Sequence, residues 1–280
     1  MAGNGEIKSG FLDDIKLVDT TEAPRFITIC SGKGGVGKSI LAANLARSLA
    51  KENSRVLLWD ADMYFPNQHL LNGVEPPVRL KDVYRLNIPV EKAQYKLDES
   101  LFLVADSPAS GSYDSFDPVL ISDIYAQIVT QKQYDTVIID TPAGNSLEVL
   151  QCCSFSDMIC IVITDEPTSL LDAYGLIKIL INYIDIDKIK LLVNNVIDLE
   201  DADDISSKLN LATENFLKMK FEVLGFIPYD RAVRQSILQQ EPFSLSNPES
   251  EASRAVVSIA KKINEQFKSL SATIKQVING

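Results

Sequence analysis

The sequence predicts a doubly wound α/β domain with a mostly parallel sheet. Two observations carry that expectation. Short, apolar, β-rich runs alternate with longer helical patterns, and polar or glycine-rich punctuation falls where the runs end. A strand covered by helices on both faces reads as a continuous apolar run rather than an alternating one. Composition agrees: of 280 residues, 46% are hydrophobic and 23% charged, enough for a substantial core without disulfides or metals.

Taken in order, residues 1–24 mix Gly, Asn, Thr and acidic residues and end at Pro24. They are expected to form a flexible N-terminal segment, although "FLDDIKLV" is apolar enough to dock on a surface. Residues 25–250 form the main domain. Its strand runs are "RFITIC", "RVLLWD", "LFLVA", "TVIID", "MICIVIT", "IKLLVNN" and "FEVLGFIP", and the helical stretches between them include 38–50, 118–131, 168–183 and 231–240. Thr168 or Ser169 can cap the third of these helices, with Asp172 in its first turn. Residues 251–280 form a C-terminal amphipathic helix. Val256, Ile259, Ile263, Phe267, Leu270, Ile274 and Val277 make one apolar stripe, flanked by Lys261, Lys262, Lys268 and Lys275.

Net charge is −11, which disfavours nucleic acid as a partner, since phosphate binding needs clustered Lys and Arg. No secretory signal is visible, and the apolar runs are strand-length, so a cytoplasmic protein is expected. Cys30, Cys152, Cys153 and Cys160 are expected as free thiols, with the adjacent Cys152 and Cys153 filling core. Their spacing does not suggest zinc. His69, the one histidine, reads as a solvated loop residue without a role.

The chemistry is concentrated in "GKGGVGKS", Gly32 to Ser39, which fits the phosphate-loop pattern G-x-x-x-x-G-K-[ST]. Glycines let successive backbone N–H groups point at phosphate oxygens, and the following helix adds its positive end. Lys38 neutralises the β and γ phosphates, and the Ser39 hydroxyl ligates Mg²⁺. A strand run before the loop and a helical run after it separate this from a chance glycine turn. Lys33 is left over: early in the loop, it points outward, where it can serve the phosphates of a second subunit.

Two further strand ends carry carboxylates. "VLLWDADMYFPN" places Asp60 and Asp62 on one side of an extended chain. "TVIIDTPAGNS" ends an apolar strand in Asp140, a Walker B arrangement that holds Mg²⁺ through water. Gly144 lets the segment after it move with the γ-phosphate.

The KGGxGK[ST] form resembles the deviant Walker A motif of the MinD/ParA family, and the likeness runs from about Arg25 to Asp230. That resemblance implies a P-loop NTPase fold, ATP/ADP and Mg²⁺ as ligands, slow ATP hydrolysis stimulated by a partner, and an ATP-dependent homodimer. Lys33 would then reach the partner's phosphates. The nucleotide would be held by Gly32, Lys33, Gly34, Gly35, Val36, Gly37, Lys38, Ser39 and Ile40, with Asn67 at the nucleotide or dimer contact. Asn194, Pro228 and Asp230 would hold adenine and ribose. Asp62 would position the attacking water, while Ser39, Asp60 and Asp140 would serve the metal.

"DEPTSLLDAYGLIKIL" and "VLGFIPYDRAVRQSILQQEPF" are most similar to the FlhG/FleN (YlxH) branch, which sets flagellar number and placement. The implied partners are an FlhF-like GTPase or flagellar and transcription regulators. The branch also implies a tail, residues 256–278, that contacts the inner face of the membrane; packing of that tail on the core is the equal alternative. Departures are "DMYFPNQHLL" in place of the usual small, glycine-containing switch segment, and an N-terminus without the "DQAxxLR"-type activator. Within the family the alternatives are a MinD-like septum role and a ParA-like partition role. From a different class comes a bacterial tyrosine kinase of polysaccharide export, which shares "DAD…P" and "IIDTP" but ends in a tyrosine cluster and lacks a counterpart of Lys33. An iron–sulfur reductase or carrier would need cysteines at the subunit interface.

Overall fold

From Phe26 to Cys30 the side chains enter different layers: Ile27 and Ile29 face one side of the sheet, Phe26 and Cys30 the other, and all are buried. This is the alternation expected of a strand covered on both faces. The computed structural model describes residues 23–52, 54–106 and 118–279, with side chains of the last helix through Ser269. The segment containing "FLDDIKLV" and the side chains of Leu270, Ile274, Lys275 and Val277 lie outside the described residues.

Eight strands are present among the described residues: β1 (Arg25–Cys30), β2 (Val56–Asp60), β3 (Tyr95–Asp98), β4 (Leu101–Val104), β5 (Thr136–Asp140), β6 (Met158–Ile163), β7 (Ile189–Val196) and β8 (Glu222–Pro228). They lie in the order β3-β4-β2-β5-β1-β6-β7-β8, all parallel except the β3–β4 pair. The doubly wound α/β expectation holds. β3 escaped the sequence reading because "YKLD" alternates half-buried and exposed residues, as an edge strand does.

The helices are α1 (Lys38–Lys51), α2 (Gln68–Leu71), α3 (Leu80–Leu86), α4 (Pro118–Gln131), α5 (Leu147–Phe155), α6 (Pro167–Leu180), α7 (Leu199–Leu217), α8 (Arg231–Gln239), α9 (Phe243–Ser246) and α10 (Glu251–Asn279). α1, α9 and α10 supply side chains to the core on one face of the sheet; α3 to α7 cover the other. Neither Thr168 nor Ser169 caps α6, contrary to expectation. Pro167 occupies the first turn and shifts the cap to Glu166, while the Ser169 hydroxyl accepts the Thr164 N–H at 3.1 Å.

The tail is part of this core as far as it is described. Val256, Ile259, Ile263 and Phe267 are buried beside Leu41, Leu45, Leu192 and Leu224. Each such side chain stabilises the fold by about 1.5–3 kcal/mol. The helix lies close over β8: a Cβ at Gly225 would stand 2.6 Å from Ile259. Arg25 stacks over the Phe267 ring at 5.1 Å, and the Lys262 ammonium donates to the Val223 carbonyl at 3.0 Å. Membrane contact by residues 256–278 is therefore corrected for its first half, whose apolar stripe is already covered by the sheet. Among the described residues, no helix is long and apolar enough to cross a membrane.

His69 also departs from expectation. It is 2% exposed, within α2, because the chain after Pro66 turns back under α1 instead of extending into solvent. Burial, then the neighbouring Arg79, lower its pKa, while Asp106 opposes them. The cysteines are free and buried, Cys152 and Cys153 within the cores on the α5 side.

Candidate functional site

The glycine loop leaves the end of β1 and enters α1 at the carboxyl edge of the sheet, where such folds bind ligands. Its turn depends on Gly35 at φ 82° and Gly37 at φ 94°, a region that side chains disfavour. Three contacts hold the loop from outside. The Ser31 hydroxyl donates to the Lys33 carbonyl at 2.7 Å, and the Gly144 N–H donates to the Ser31 carbonyl at 2.8 Å. The Asn194 amide donates to the Val36 carbonyl at 2.7 Å. Gly32 meets α6 backbone to backbone: a Cβ there would fall 2.2 Å from the carbonyl carbon of Asp172. Val36 is buried, Gly34 and Gly35 are exposed, and Lys38 and Ile40 are half-buried.

Asp60 and Asp140 are register partners at the ends of β2 and β5, and both are buried. One oxygen of Asp60 accepts the backbone N–H groups of Asn67 and Gln68, each at 2.9 Å; the other accepts that of Asp62 at 3.2 Å. Burial, then the facing Asp140, push Asp60 well above the usual carboxylate range. Burial also raises Asp140, while Lys38, Gln68 and Ser39 beside it pull the other way. The Asp62 carboxylate is half-buried and accepts the Phe65 N–H at 2.9 Å. The Asn67 amide reaches the Ser39 hydroxyl at 3.3 Å, which places it on the serine side of the loop.

This donor set fits Mg²⁺. One oxygen of Asp140, Oδ1, is buried without a hydrogen-bond partner. A hydroxyl, two carboxylates and a lysine crowd around it, as a hard, oxygen-seeking cation beside phosphate requires.

The two remaining expected groups sit elsewhere. Lys33 is paired within its own chain, with the Glu166 carboxylate, and its ammonium donates to the Thr168 hydroxyl at 2.8 Å. Asp230 spends both oxygens on backbone, accepting the Ala232 N–H at 2.8 Å and the Ala252 N–H at 3.2 Å, so it caps α8 and ties it to α10. Pro228 ends β8 beside it, followed by the exposed Tyr229. Sequence reasoning missed Gln68 and Glu166. Gln68 is fully buried, and its side-chain amide donates to Asp140 at 2.8 Å and to the Ser39 carbonyl at 2.9 Å. The one signal for it was its place directly after Asn67.

Comparison with known proteins agrees with this geometry. Residues 22–264 match the ParA family model, described as NUBPL iron-transfer P-loop NTPase. The chain is 29% identical to the antiactivator FleN of Pseudomonas aeruginosa over 89% of its length and 90% of FleN. It is 26% identical to the flagellum site-determining protein YlxH of Helicobacter pylori, over 84% of this chain and 80% of that one. It is 30% identical to the septum site-determining protein MinD of Bacillus subtilis, over 89% of this chain and 96% of MinD. The MinC:MinD cell division complex of Aquifex aeolicus superposes with a TM-score of 0.70 at 29% identity, covering 86% of this chain and 96% of that one. The chain belongs to the ParA family of P-loop NTPases, in its MinD/ParA-type deviant Walker A form, and is an ATPase.

Proposed function

We propose that this ATPase is a nucleotide-dependent dimerisation switch of the FleN/YlxH kind, regulating the number or position of a cell-surface assembly such as the flagellum. The observation that carries the reading is Lys33. It is held only by the exposed Glu166 and Thr168, while Lys38, close enough to Asp140 to oppose the rise in its pKa, is left for the phosphates of its own chain. Exposed Phe65, Leu171 and Tyr229, near the carboxyl edge of the sheet, supply apolar surface for a second copy.

In this reading Lys38 and the loop N–H groups, from Gly32 to Ile40, hold the phosphates. Ser39 and Asp140 would hold Mg²⁺, with Asp60 behind them. When bound, the ion neutralises phosphate charge and orients the β and γ oxygens. Asp62 accepts a proton from the attacking water. Asn194 and Pro228 would face adenine and ribose, while Asp230, whose carboxylate is spent on α8 and α10, would shape that edge instead of binding through its side chain. Lys33 leaves Glu166 and meets the phosphates of the second subunit. Hydrolysis then returns the protein to single chains, and a protein effector reads the difference.

The test is light scattering of Asp62→Ala protein with Mg-ATP and with Mg-ADP, and again with Lys33→Ala added. A dimer with ATP alone, lost on removal of Lys33, supports the switch. A single chain throughout, with ATP binding shown separately, refutes it. A MinD-like septum role is the second reading, favoured by 30% identity across 96% of the Bacillus subtilis protein. Restoration of flagellar number in a strain lacking FleN, against restoration of division-site placement in one lacking MinD, separates the two.

A further inference from the structure

Gln68 is hard to explain as a packing residue. It is 0% exposed, yet its side-chain carbonyl oxygen has no hydrogen-bond partner. An orphaned buried acceptor costs about 1–3 kcal/mol, and a leucine of similar volume would fill the space without it. The amide orientation is set by chemistry. Both groups facing its nitrogen, the Asp140 carboxylate and the Ser39 carbonyl, are acceptors, so the flipped amide would set oxygen against oxygen. The same residue's backbone N–H donates to Asp60. One residue therefore touches both buried carboxylates and the phosphate loop, from the first turn of α2.

We propose that Gln68 is the positioning residue of the metal-binding carboxylate. By occupying Oδ2 of Asp140 it fixes the carboxylate plane and leaves Oδ1, the partnerless oxygen, as the one presented to hydrated Mg²⁺. Because its backbone also starts α2, it links Asp140 to the segment from Asp62 to Asn67. A displacement of that segment moves the carboxylate with it. The inference deepens the proposed function and rests on its assignment of Asp140 and Ser39 to the metal.

The experiment measures ATP affinity of the full chain by calorimetry, in EDTA and in saturating Mg²⁺; the affinity in Mg²⁺ divided by that in EDTA is the readout. Gln68→Leu should lower that ratio by about 10–100-fold, the usual effect of losing a partner behind a metal ligand, so that affinity falls much further in Mg²⁺ than in EDTA, where only the contact with the Ser39 carbonyl is lost. Gln68→Asn, one methylene too short to reach Asp140, should do the same, and it carries the test where the leucine variant does not fold. A ratio within twofold of wild type in a folded variant overturns the proposal. So does an equal loss of affinity with and without Mg²⁺, which is what a structural role would produce. Asp140→Asn serves as reference. If it lowers the ratio and the Gln68 variants do not, the proposal alone fails. If it leaves the ratio unchanged, the metal assignment fails and takes the proposal with it.

Discussion

Neutralising Glu166 should strengthen the ATP-dependent dimer. In the single chain the Lys33 ammonium rests on the Glu166 carboxylate, and it must leave before it can reach another subunit. The Lys33 side chain is 29% exposed and that of Glu166 57%, so this is a surface ion pair. Such pairs contribute about 0.2–1 kcal/mol. A symmetric dimer releases two of them, so Glu166→Gln should favour dimerisation by about 0.4–2 kcal/mol, or about 2- to 30-fold at 25 °C. The change removes no cap, because the Glu166 side chain accepts no hydrogen bond at the start of α6. Sedimentation equilibrium in Mg-ATP, on the Asp62→Ala background, measures the dimerisation constant at low salt and near 1 M salt. The gain should fade at high salt, where the Debye length is about 3 Å. No gain at low salt, or a weaker dimer, would refute the reasoning, the latter by making Glu166 itself a contact between subunits.

Three other outcomes follow from the same geometry. Asp140→Asn should raise the Tm of nucleotide-free protein while abolishing its Mg²⁺-dependent gain in ATP affinity. Asp140 titrates above its unfolded value, so its charge costs stability progressively as pH rises from the ordinary carboxylate range through the raised pKa. The Tm gain should therefore vanish in acid, grow as pH rises from the ordinary carboxylate range, and level off above the raised pKa, and each 2–4 °C corresponds to about 1 kcal/mol. Truncation after Ser250 strips Val256, Ile259, Ile263 and Phe267 from the core and should leave no cooperative thermal transition. Gly37→Ala forces φ 94° on a side chain and sets its Cβ 2.4 Å from the Asn194 amide. It should cost about 1–3 kcal/mol of stability by differential scanning calorimetry and weaken ATP binding.

The sheet and the loop were legible because their causes are local. Apolar runs such as "TVIID" need only their own composition to read as buried strands, and the glycines of Gly32–Gly37 announce their own turn. Contacts across the chain left no such mark. Glu166 lies far from Lys33 in sequence, and nothing in "DEPTS" says which cation it will meet. His69 looked solvated because its neighbours are polar. It is buried because Asn67 and Gln68 give their N–H groups to Asp60, which folds the chain under α1. The tail stripe was visible as a stripe, but spacing alone cannot tell a lipid surface from a sheet. The cap of α6 moved by the rule that Pro favours a first turn, outweighing the preference for Thr168 or Ser169.

The contact between Gly32 and α6 has a mechanical reading. With no side chain between them, the loop and the helix at Asp172 and Ala173 touch like two parts of a bearing, too close for one to slide without the other. Beside that point, Leu171 is 68% exposed, like a handle on the outside of the same shaft. A second copy that grasped the handle would lean on the phosphate loop, and a loop tightening on phosphate would turn the handle. Signal would travel here by contact between rigid parts, over a single helical turn.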